Sequence, residues 1–518
     1  MKATEGLPAQ FNAATYFVDR NVAEGRGTVP AFRLADQDRV LTYGDVQELA
    51  NRTGNALLEL GVEPEHRVLM ICLDGPEFLG AFWGAIKIGA VPIPVNTLLR
   101  TDDYRYVLQD SRARAAVVSA PLLAEAGPAL ESQTRQLRHV LVAGGAAGRY
   151  LSYEDRIGKA SATLAAAPTH RDEPAFWLYS SGSTGFPKGA VHLHHDMVVC
   201  SETYARQVLD LRASDRVYSA AKLFFAYGLG NAGYFPMAAG AQSVLFAGRP
   251  TPEGVFEILS RHRPTIFFGV PTLYAGMLAL KGAERYDLSS LRLCVSAGEA
   301  LPPELYHRWR ERFGVELLDG IGTTEILHIF LSNRPGAVRP GSTGLPVPGY
   351  EAAIVDDGGR PVPPGEIGNL RVRGDSTMAF YWNQHEKTKD CLLGQWIQTG
   401  DKYYQDPDGY FWYCGRADDM LKVGGIWVSP VEVEATLVGH PAVLEAAVVG
   451  REDADRLVKP QAFVVLKDPA QAAPALADEL RAFVKDKIAP YKYPRWIEFV
   501  PELPKTATGK IQRYKLRG

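Results

Sequence analysis

Between Tyr179 and Gly189 the chain reads Tyr-Ser-Ser-Gly-Ser-Thr-Gly-Phe-Pro-Lys-Gly, directly after the apolar run Ala175 to Leu178. That run has the length and character of a buried strand. Gly182, Gly185 and Gly189 keep side chains out of the way, Ser180, Ser181, Ser183 and Thr184 bring hydroxyl groups, and Lys188 brings a positive charge. Backbone N–H groups beside small hydroxyl residues make an anion cradle. A P-loop would need Gly-Lys followed at once by Ser or Thr at the start of a helix. Here Pro187 precedes the lysine, Gly189 follows it, and Val191-His192-Leu193 has extended character. The pattern predicts a loop hung between two strands and closing over a nucleotide phosphate.

The remaining chain supplies a scaffold of the matching kind. Helical spacing over Tyr43 to Leu60 is followed by an apolar strand from Arg67 to Cys72, a helix from Pro76 to Ile88 and a strand from Val91 to Val95, a β-α-β unit of the sort that builds parallel sheets. Strand signals recur at Ala115 to Ser119, His139 to Val142, Val217 to Ala220, Gln242 to Phe246, Thr265 to Phe268 and Leu293 to Ser296. Leu193 to Leu209 reads as a helix, and the Ala/Gly-rich stretch from Ala143 to Pro168 as a surface excursion. Beyond Leu345 the alternation stops and turn-rich β structure begins, with turns at Asp356-Asp357-Gly358-Gly359 and Pro363-Pro364-Gly365. At 518 residues the chain is long enough for several domains. A net charge of −3 gives no field to draw nucleic acid or an anionic membrane. Five scattered cysteines without metal spacing fit a reducing compartment. With no signal-peptide pattern at Met1 to Gly6 and no apolar run of the ~20 residues a span requires, a cytoplasmic protein is expected.

Several further stretches carry chemistry. Asp319-Gly320-Ile321-Gly322-Thr323-Thr324-Glu325 pairs glycines that admit a ligand to the backbone with a hydroxyl for phosphate and a hard carboxylate oxygen of the kind Mg²⁺ prefers. Leu223-Phe224-Phe225-Ala226-Tyr227-Gly228-Leu229-Gly230-Asn231 is richer in aromatic rings than one core strand needs. By composition it is either plain core or an aromatic slot. Tyr413 to Gly425 gathers charge, small residues and glycines, and the chain ends near Pro504-Lys505-Thr506-Ala507-Thr508-Gly509-Lys510-Ile511-Gln512-Arg513, an exposed basic loop by composition.

Collinear from Tyr179 to Arg513, these motifs resemble those of the adenylate-forming superfamily: acyl-CoA synthetases, adenylation domains of peptide synthetases, and luciferases. The Phe-Ala-Tyr-Gly-Leu-Gly-Asn segment looks like the benzoate-CoA ligase branch. The resemblance implies an α/β fold. A large N-terminal domain, residues 1–417, would hold parallel α/β sheets and a β-rich subdomain, and a small mobile α+β lid would follow from 418 to 518. It implies ATP contacts from Ser181, Gly182, Ser183, Thr184, Ala297, Gly298, Glu299, Asp319, Gly320, Ile321, Thr324, Asp401 and Arg416. Asp401 of Thr-Gly-Asp would accept from the two ribose hydroxyls. Thr184, Lys188, Glu325 and Lys510 would be catalytic, with Mg²⁺ on Glu325. Phe225, Ala226, Tyr227, Gly228, Gly322, His328 and Ile329 would wall the acyl pocket. The family pattern places an aromatic residue where Ile321 stands, so apolar contact with adenine replaces stacking here.

By the same resemblance Asp418 is the hinge, and Lys422, Gly424 and Gly425 lie near the pantetheine arm of CoA. The implied activity is ATP-dependent joining of benzoate to CoA through a benzoyl-adenylate, with a substituted benzoate or other aryl acid as the alternative. The partners are then small molecules only, and the chain is a monomer or homodimer. A peptide-synthetase module is disfavoured because the Phe224 to Gly228 segment holds no acidic residue to pair an amino group. A non-catalytic nucleotide binder would have no need of Glu325, Asp401 and Lys510 together.

Overall fold

The computed structural model describes residues 4, 6–131, 135–180, 187–417, 419–423, 426–453, 457–505 and 511–517; the side chains of residues 422, 426, 427 and 490 are not described. The architecture is mixed α/β. A five-stranded sheet, ordered Val91–Pro94, Arg67–Ile71, Ala115–Ser119, His139–Ala143, Leu151–Ser152, is parallel throughout. A nine-stranded sheet is parallel from Pro30–Leu34 through Gln242–Leu245, Arg216–Ser219, Ile266–Gly269 and Leu293–Ser296 to Leu317–Gly322, and antiparallel only at its edges. These strands are apolar on both faces because helices cover both, as buried parallel strands require.

Tyr43–Glu59 and Pro76–Lys87 form within a residue of their sequence limits, whereas the helix expected over Leu193 to Leu209 starts only at Asp196, because Leu193 ends a strand, and is π-helical over Ser201–Ala205. The first helix opens on a capping box between Thr42 and Asp45, which satisfies two otherwise orphaned N–H groups. In the second, every residue from Phe78 to Lys87 is buried, and Lys87 is tolerated there because its ammonium donates to Asp19 Oδ1 and Asn51 Oδ1, both at 2.6 Å.

The stretch Ala143 to Pro168 departs from the surface excursion expected of it. It contributes the edge strand Leu151–Ser152 and the helix Tyr153–Lys159. Ser152 caps that helix by accepting from Asp155 N, and the buried Tyr153 hydroxyl meets Thr53 Oγ1 at 2.6 Å. Leu151, Ile157 and Leu164 pack on the same core, and Asn51 and Arg52 donate to the carbonyls of Ala162 and Ala160.

The strands on either side of the glycine- and serine-rich loop pair antiparallel, Pro174–Ser180 against Lys188–Leu193, and the loop residues 181–186 lie outside the described residues. A third strand, Phe380–Tyr381, joins this hairpin opposite Val191 and Ala190. Past Tyr350 a five-stranded antiparallel sheet forms from Glu351–Val355, Gly368–Arg373, Leu392–Leu393, Trp396–Gln405 and Phe411–Arg416. Toward the C-terminus, Val443–Glu452, Val458–Leu466 and Trp496–Phe499 make a separate sheet, with the helices Pro430–Val438 and Pro474–Lys487 packed into its own apolar core.

His194 ties the N-terminal segment to this frame: it is buried, its Nδ1 accepts from Ala13 N at 3.1 Å, and burial pulls its pKa down to about 3. The unfolded chain protonates a histidine near 6.5, so between the two values the unfolded state binds more protons and stability falls as pH is lowered. The variant His194→Gln keeps an acceptor and loses the titration. Urea denaturation is expected to show the wild type losing stability relative to this variant by about 1.4 kcal/mol per pH unit across that range; parallel pH courses would contradict the assignment.

Candidate active site

A cavity of about 1870 Å³ opens between the strand ends of the nine-stranded sheet, the antiparallel sheet and the C-terminal unit. Lys188, Gly298, Glu299, Asp319, Gly320, Ile321, Gly322, Thr324, Glu325, Asp401 and Arg416 all line it. Ala297 is buried one residue behind Gly298. Ser181, Gly182, Ser183, Thr184, Asp418, Gly424, Gly425 and Lys510 lie outside the described residues, and Lys422 belongs to the short strand Leu421–Val423.

The position of each group follows from strand register. Asp401 and Arg416 stand directly opposite one another on neighbouring antiparallel strands. The Arg416 guanidinium donates from Nη1 to Asp401 Oδ1 at 3.0 Å and to Thr399 O at 3.0 Å. Gly400 between them adopts φ +76, which a side chain would resist. Asp319 ends the parallel run, opposite Ser296. Burial, opposed by backbone hydrogen bonds, raises its carboxyl well above the usual carboxylate range beside the glycine-lined wall.

Glu325 occupies a single helical turn, Thr324–Ile326, after the strand Leu317–Gly322. Two neighbours hold that turn from opposite sides. Met378 N donates to Glu325 O at 2.8 Å, and the His192 ring meets Thr324 O through Nε2 at 2.7 Å and Asp196 Oδ2 through Nδ1 at 2.8 Å. Leu327, which follows the turn, has φ +73, an uncommon conformation for a branched side chain and a sign of backbone held under strain beside a site. The Glu325 carboxylate accepts from the Tyr381 hydroxyl at 2.6 Å through Oε1, and its second oxygen has no hydrogen-bond partner among the described residues. A half-buried carboxylate with one hard oxygen left facing the cavity fits a divalent cation. Lys188 Nζ donates to the same Tyr381 hydroxyl at 3.3 Å and lies 4.3 Å from the centre of its ring. Burial first, then the Glu325 charge, keep the Tyr381 phenol far above the usual tyrosine range, so it stays a donor.

Neither His192 nor Tyr381 is singled out by the sequence. His192 and Asp196 carry a signal in retrospect, a histidine and a carboxylate four apart inside a histidine-rich run; Tyr381 carries none, since an isolated tyrosine in a turn-rich region is ordinary.

Of the residues expected at the acyl pocket, Gly322 lines the cavity, and the others gather in the adjoining core. Phe225 precedes a short helix, Ala226–Gly228, that continues as the wider π-helical turn Leu229–Tyr234. Such turns recur at functional sites. A second π-helical turn, Ser201–Ala205, presents Tyr204 from the other side. Between them lies His328, fully buried, its ring 4.5 Å from Phe235, 5.4 Å from Tyr204 and 5.7 Å from Tyr227, centre to centre. Its Nε2 faces Tyr227 O at 3.3 Å and Asn231 Oδ1 at 3.1 Å, both acceptors, so that nitrogen carries the proton. Burial pulls its pKa down to about 3 and the imidazole is neutral. Its Nδ1 has no hydrogen-bond partner among the described residues. Ile329 pairs with Gly322 across the antiparallel edge, joining this cage to the cavity wall. The space is tight: a Cβ on Gly228 would lie 2.0 Å from Lys222 O, and one on Gly230 would lie 2.3 Å from His328 Cδ2.

From the C-terminal unit, Arg513 reaches the cavity held by two bonds to Glu434, at 2.6 and 3.1 Å. The ends of the segment 506–510 are closed by an antiparallel bridge between Lys505 and Ile511, by Gln512 N donating to Pro504 O at 2.8 Å, and by Lys505 Nζ paired with Glu445 at 2.7 Å.

Comparison with known proteins agrees with this geometry. The family model for AMP-binding enzymes matches residues 19–382, and that for the AMP-binding enzyme C-terminal domain matches residues 432–510. A benzoate–CoA ligase of Thauera aromatica is 53% identical over 517 residues, 99% of this chain and 96% of the relative. A 4-hydroxybenzoate–CoA/benzoate–CoA ligase of Rhodopseudomonas palustris is 48% identical over 512 residues, 98% of this chain and 94% of the relative. Among solved structures, the anthranilate CoA ligase AuaEII in complex with anthranoyl-AMP superposes with a TM-score of 0.96 at 48% identity, covering 100% of this chain and 98% of its own. A benzoate CoA ligase from Burkholderia xenovorans LB400 superposes with a TM-score of 0.91 at 49% identity, covering 98% and 100%.

The crowding at Gly230 gives a direct test of the cage. Gly230→Ala is expected to displace the His328 ring and cost about 1–3 kcal/mol of stability, the usual penalty for overpacking a filled core, as read from urea denaturation. An unchanged midpoint would mean that the ring is free to move.

Proposed function

The chain belongs to the AMP-binding enzymes, and we propose that its reaction is the ATP-dependent ligation of benzoate to CoA in the cytoplasm. The observation that carries this reading is the meeting of Lys188, Glu325, Asp401 and Arg416, from separate segments, around one cavity whose inner wall abuts an uncharged aromatic cage. The benzoate–CoA ligase 53% identical over nearly the whole chain supports the choice of acid.

In the first half-reaction a carboxylate oxygen of benzoate attacks the α-phosphorus of ATP, the bond to the β-phosphate oxygen breaks, and pyrophosphate leaves. Two anions must approach, so the step depends on fixed positive charge and on alignment. Lys188 meets the outer phosphates, Lys510 bridges carboxylate and α-phosphate, and Asp401 accepts from the ribose hydroxyls with Arg416 fixing its carboxylate. The hydroxyls of Ser181, Ser183 and Thr184, with Gly182, close over the phosphates. A Mg²⁺ ion held by Glu325 would neutralise phosphate charge. In the second half-reaction the sulfur of CoA attacks the acyl carbon, the bond to the phosphate oxygen breaks, AMP leaves and the thiol proton goes to solvent. Residues 418–518 turn about Asp418 between the two steps, withdrawing Lys510 and bringing Lys422, Gly424 and Gly425 to the pantetheine arm.

The neutral His328 favours an acid with an uncharged ring. Its unpartnered Nδ1 also favours a second reading, a benzoate carrying a hydroxyl or amino donor. Pyrophosphate exchange driven by benzoate, 2-aminobenzoate and 4-hydroxybenzoate tests both at once: the highest kcat/KM belongs to the preferred acid, and no exchange with any of the three overturns the assignment. Lys510→Ala is expected to remove adenylate formation, a loss on the order of 100-fold or more, while supplied benzoyl-AMP is still converted to the thioester. Equal loss in both half-reactions would contradict the role given to Lys510.

A further inference from the structure

Lys188 and Glu325 carry opposite charges at the mouth of the same cavity, yet among the described residues they form no ion pair with each other. The Tyr381 hydroxyl stands between them, donating to Glu325 Oε1 at 2.6 Å and accepting from Lys188 Nζ at 3.3 Å. Its other neighbour, Cys391 Sγ at 3.8 Å, is too distant to compete with the carboxylate for the single phenolic hydrogen. We infer that Tyr381 is a positioning residue for the adenylation step, a spacer that keeps the phosphate lysine and the metal-ligand carboxylate apart and turns each toward the nucleotide.

The argument rests on three features of the phenol. Its backbone is anchored: Tyr381 N donates to Thr388 Oγ1 at 3.1 Å, Trp382 N to Gly189 O at 2.8 Å and Ala379 N to Val191 O at 2.9 Å, so the ring projects from a fixed point between the two partners. The Tyr381–Glu325 bond uses one carboxylate oxygen and leaves the other toward the cavity. It is the arrangement by which an outer hydrogen bond fixes the orientation of a metal-binding carboxylate. The ring face under the ammonium gives Lys188 a weak cation–π seat, which it can leave when phosphate arrives. Were the hydroxyl absent, the ammonium and the carboxylate would be drawn into a direct ion pair, and both would be lost to the nucleotide.

This inference deepens the proposed benzoate-adenylating reaction and rests on it, but the Mn²⁺ readout below involves no acid and is decided separately. In Tyr381→Phe the ring, its burial and the cation–π seat persist and only the hydroxyl goes. Isothermal titration of Mn²⁺ into enzyme with ATP and no acid is expected to show affinity lower by about 10–100-fold, the usual cost of losing a hydrogen bond to a metal-bound carboxylate. Benzoyl-AMP formation is expected to fall by a similar factor, with the conversion of supplied benzoyl-AMP and CoA to thioester unchanged and the melting midpoint preserved. Unaltered Mn²⁺ affinity would overturn the inference, as would an equal fall in both half-reactions, which would mark Tyr381 as a structural residue only. Should the wild type itself form no benzoyl-AMP, the choice of acid falls while the Mn²⁺ comparison still decides the role of the tyrosine.

Discussion

An ammonium and a carboxylate that are meant for a ligand must be prevented from satisfying one another. The centre of this structure meets that demand with backbone. Lys188 and Tyr381 are 193 residues apart and Tyr381 and Glu325 are 56 apart, yet all three meet because the segment 376–382 is laced onto two others. Met378 N reaches Glu325 O, Ser376 Oγ reaches Ile326 O at 2.7 Å, and Phe380–Tyr381 is a strand of the phosphate hairpin. On the opposite side the buried pair of His192 and Asp196 supports Thr324. Each bond is worth only about 1 kcal/mol, but they are buried or half-buried, and together they hold the turn 324–326 from several sides. The strain at Leu327 is affordable for the same reason: the surroundings over-determine it.

The acyl side is built on a different principle. Here charge is excluded rather than placed. Tyr204, Tyr227 and Phe235 enclose an imidazole that burial keeps neutral, and two π-helical turns widen the backbone where the rings insert. Gly228 and Gly230 mark how little space is left over. As the proposed acyl site, such a cage would distinguish acids by ring shape and by one hydrogen bond, to Nδ1 of His328. The junction between the two regions is short. Gly322 pairs with Ile329, so the cavity wall and the aromatic cage belong to one antiparallel edge; in the proposed reaction the carboxyl carbon of the acid lies at their meeting point.

Much of this could be read from the chain before its fold was known, for reasons that are local. Buried parallel strands must be continuous apolar runs and their helices must be amphipathic, so the alternation through Ser296 was visible from spacing. The glycine-rich and Asp-Gly-Ile-Gly-Thr-Thr-Glu stretches were visible because binding phosphate against backbone demands small residues in a row. What was not legible depends on long-range register. Nothing near Tyr381 announces that its strand will be added to a hairpin almost two hundred residues upstream, and nothing near His192 announces a partner at Thr324. The same holds for Arg416, whose opposition to Asp401 is a matter of strand pairing. The segment Ala143 to Pro168 differs for a related reason: average composition suggests a loop, while contacts with distant residues, Tyr153 to Thr53 and Asn51 to Ala162 O among them, bring it onto the core.

The distribution of the cationic groups bears on how one cavity can serve two reactions. Lys188 and Arg416 are set in sheets, each restrained by neighbours, and cannot be withdrawn without unpairing strands. In the proposed reaction, bringing carboxylate to phosphate needs a further positive charge beside Lys188, whereas a thiol reaching the adenylate needs room where that charge stood. A charge required in one step and obstructive in the next belongs on an element with its own core. The C-terminal sheet, with its helices Pro430–Val438 and Pro474–Lys487, has such a core, and the ends of the segment bearing Lys510 are closed by bonds made within that unit, Lys505 to Glu445 and Arg513 to Glu434. None of these bonds would have to break if the unit turned as a body. Fixed charge on the sheets and conditional charge on a self-contained unit is therefore the division of labour that this architecture permits, and the proposed two-step chemistry requires it.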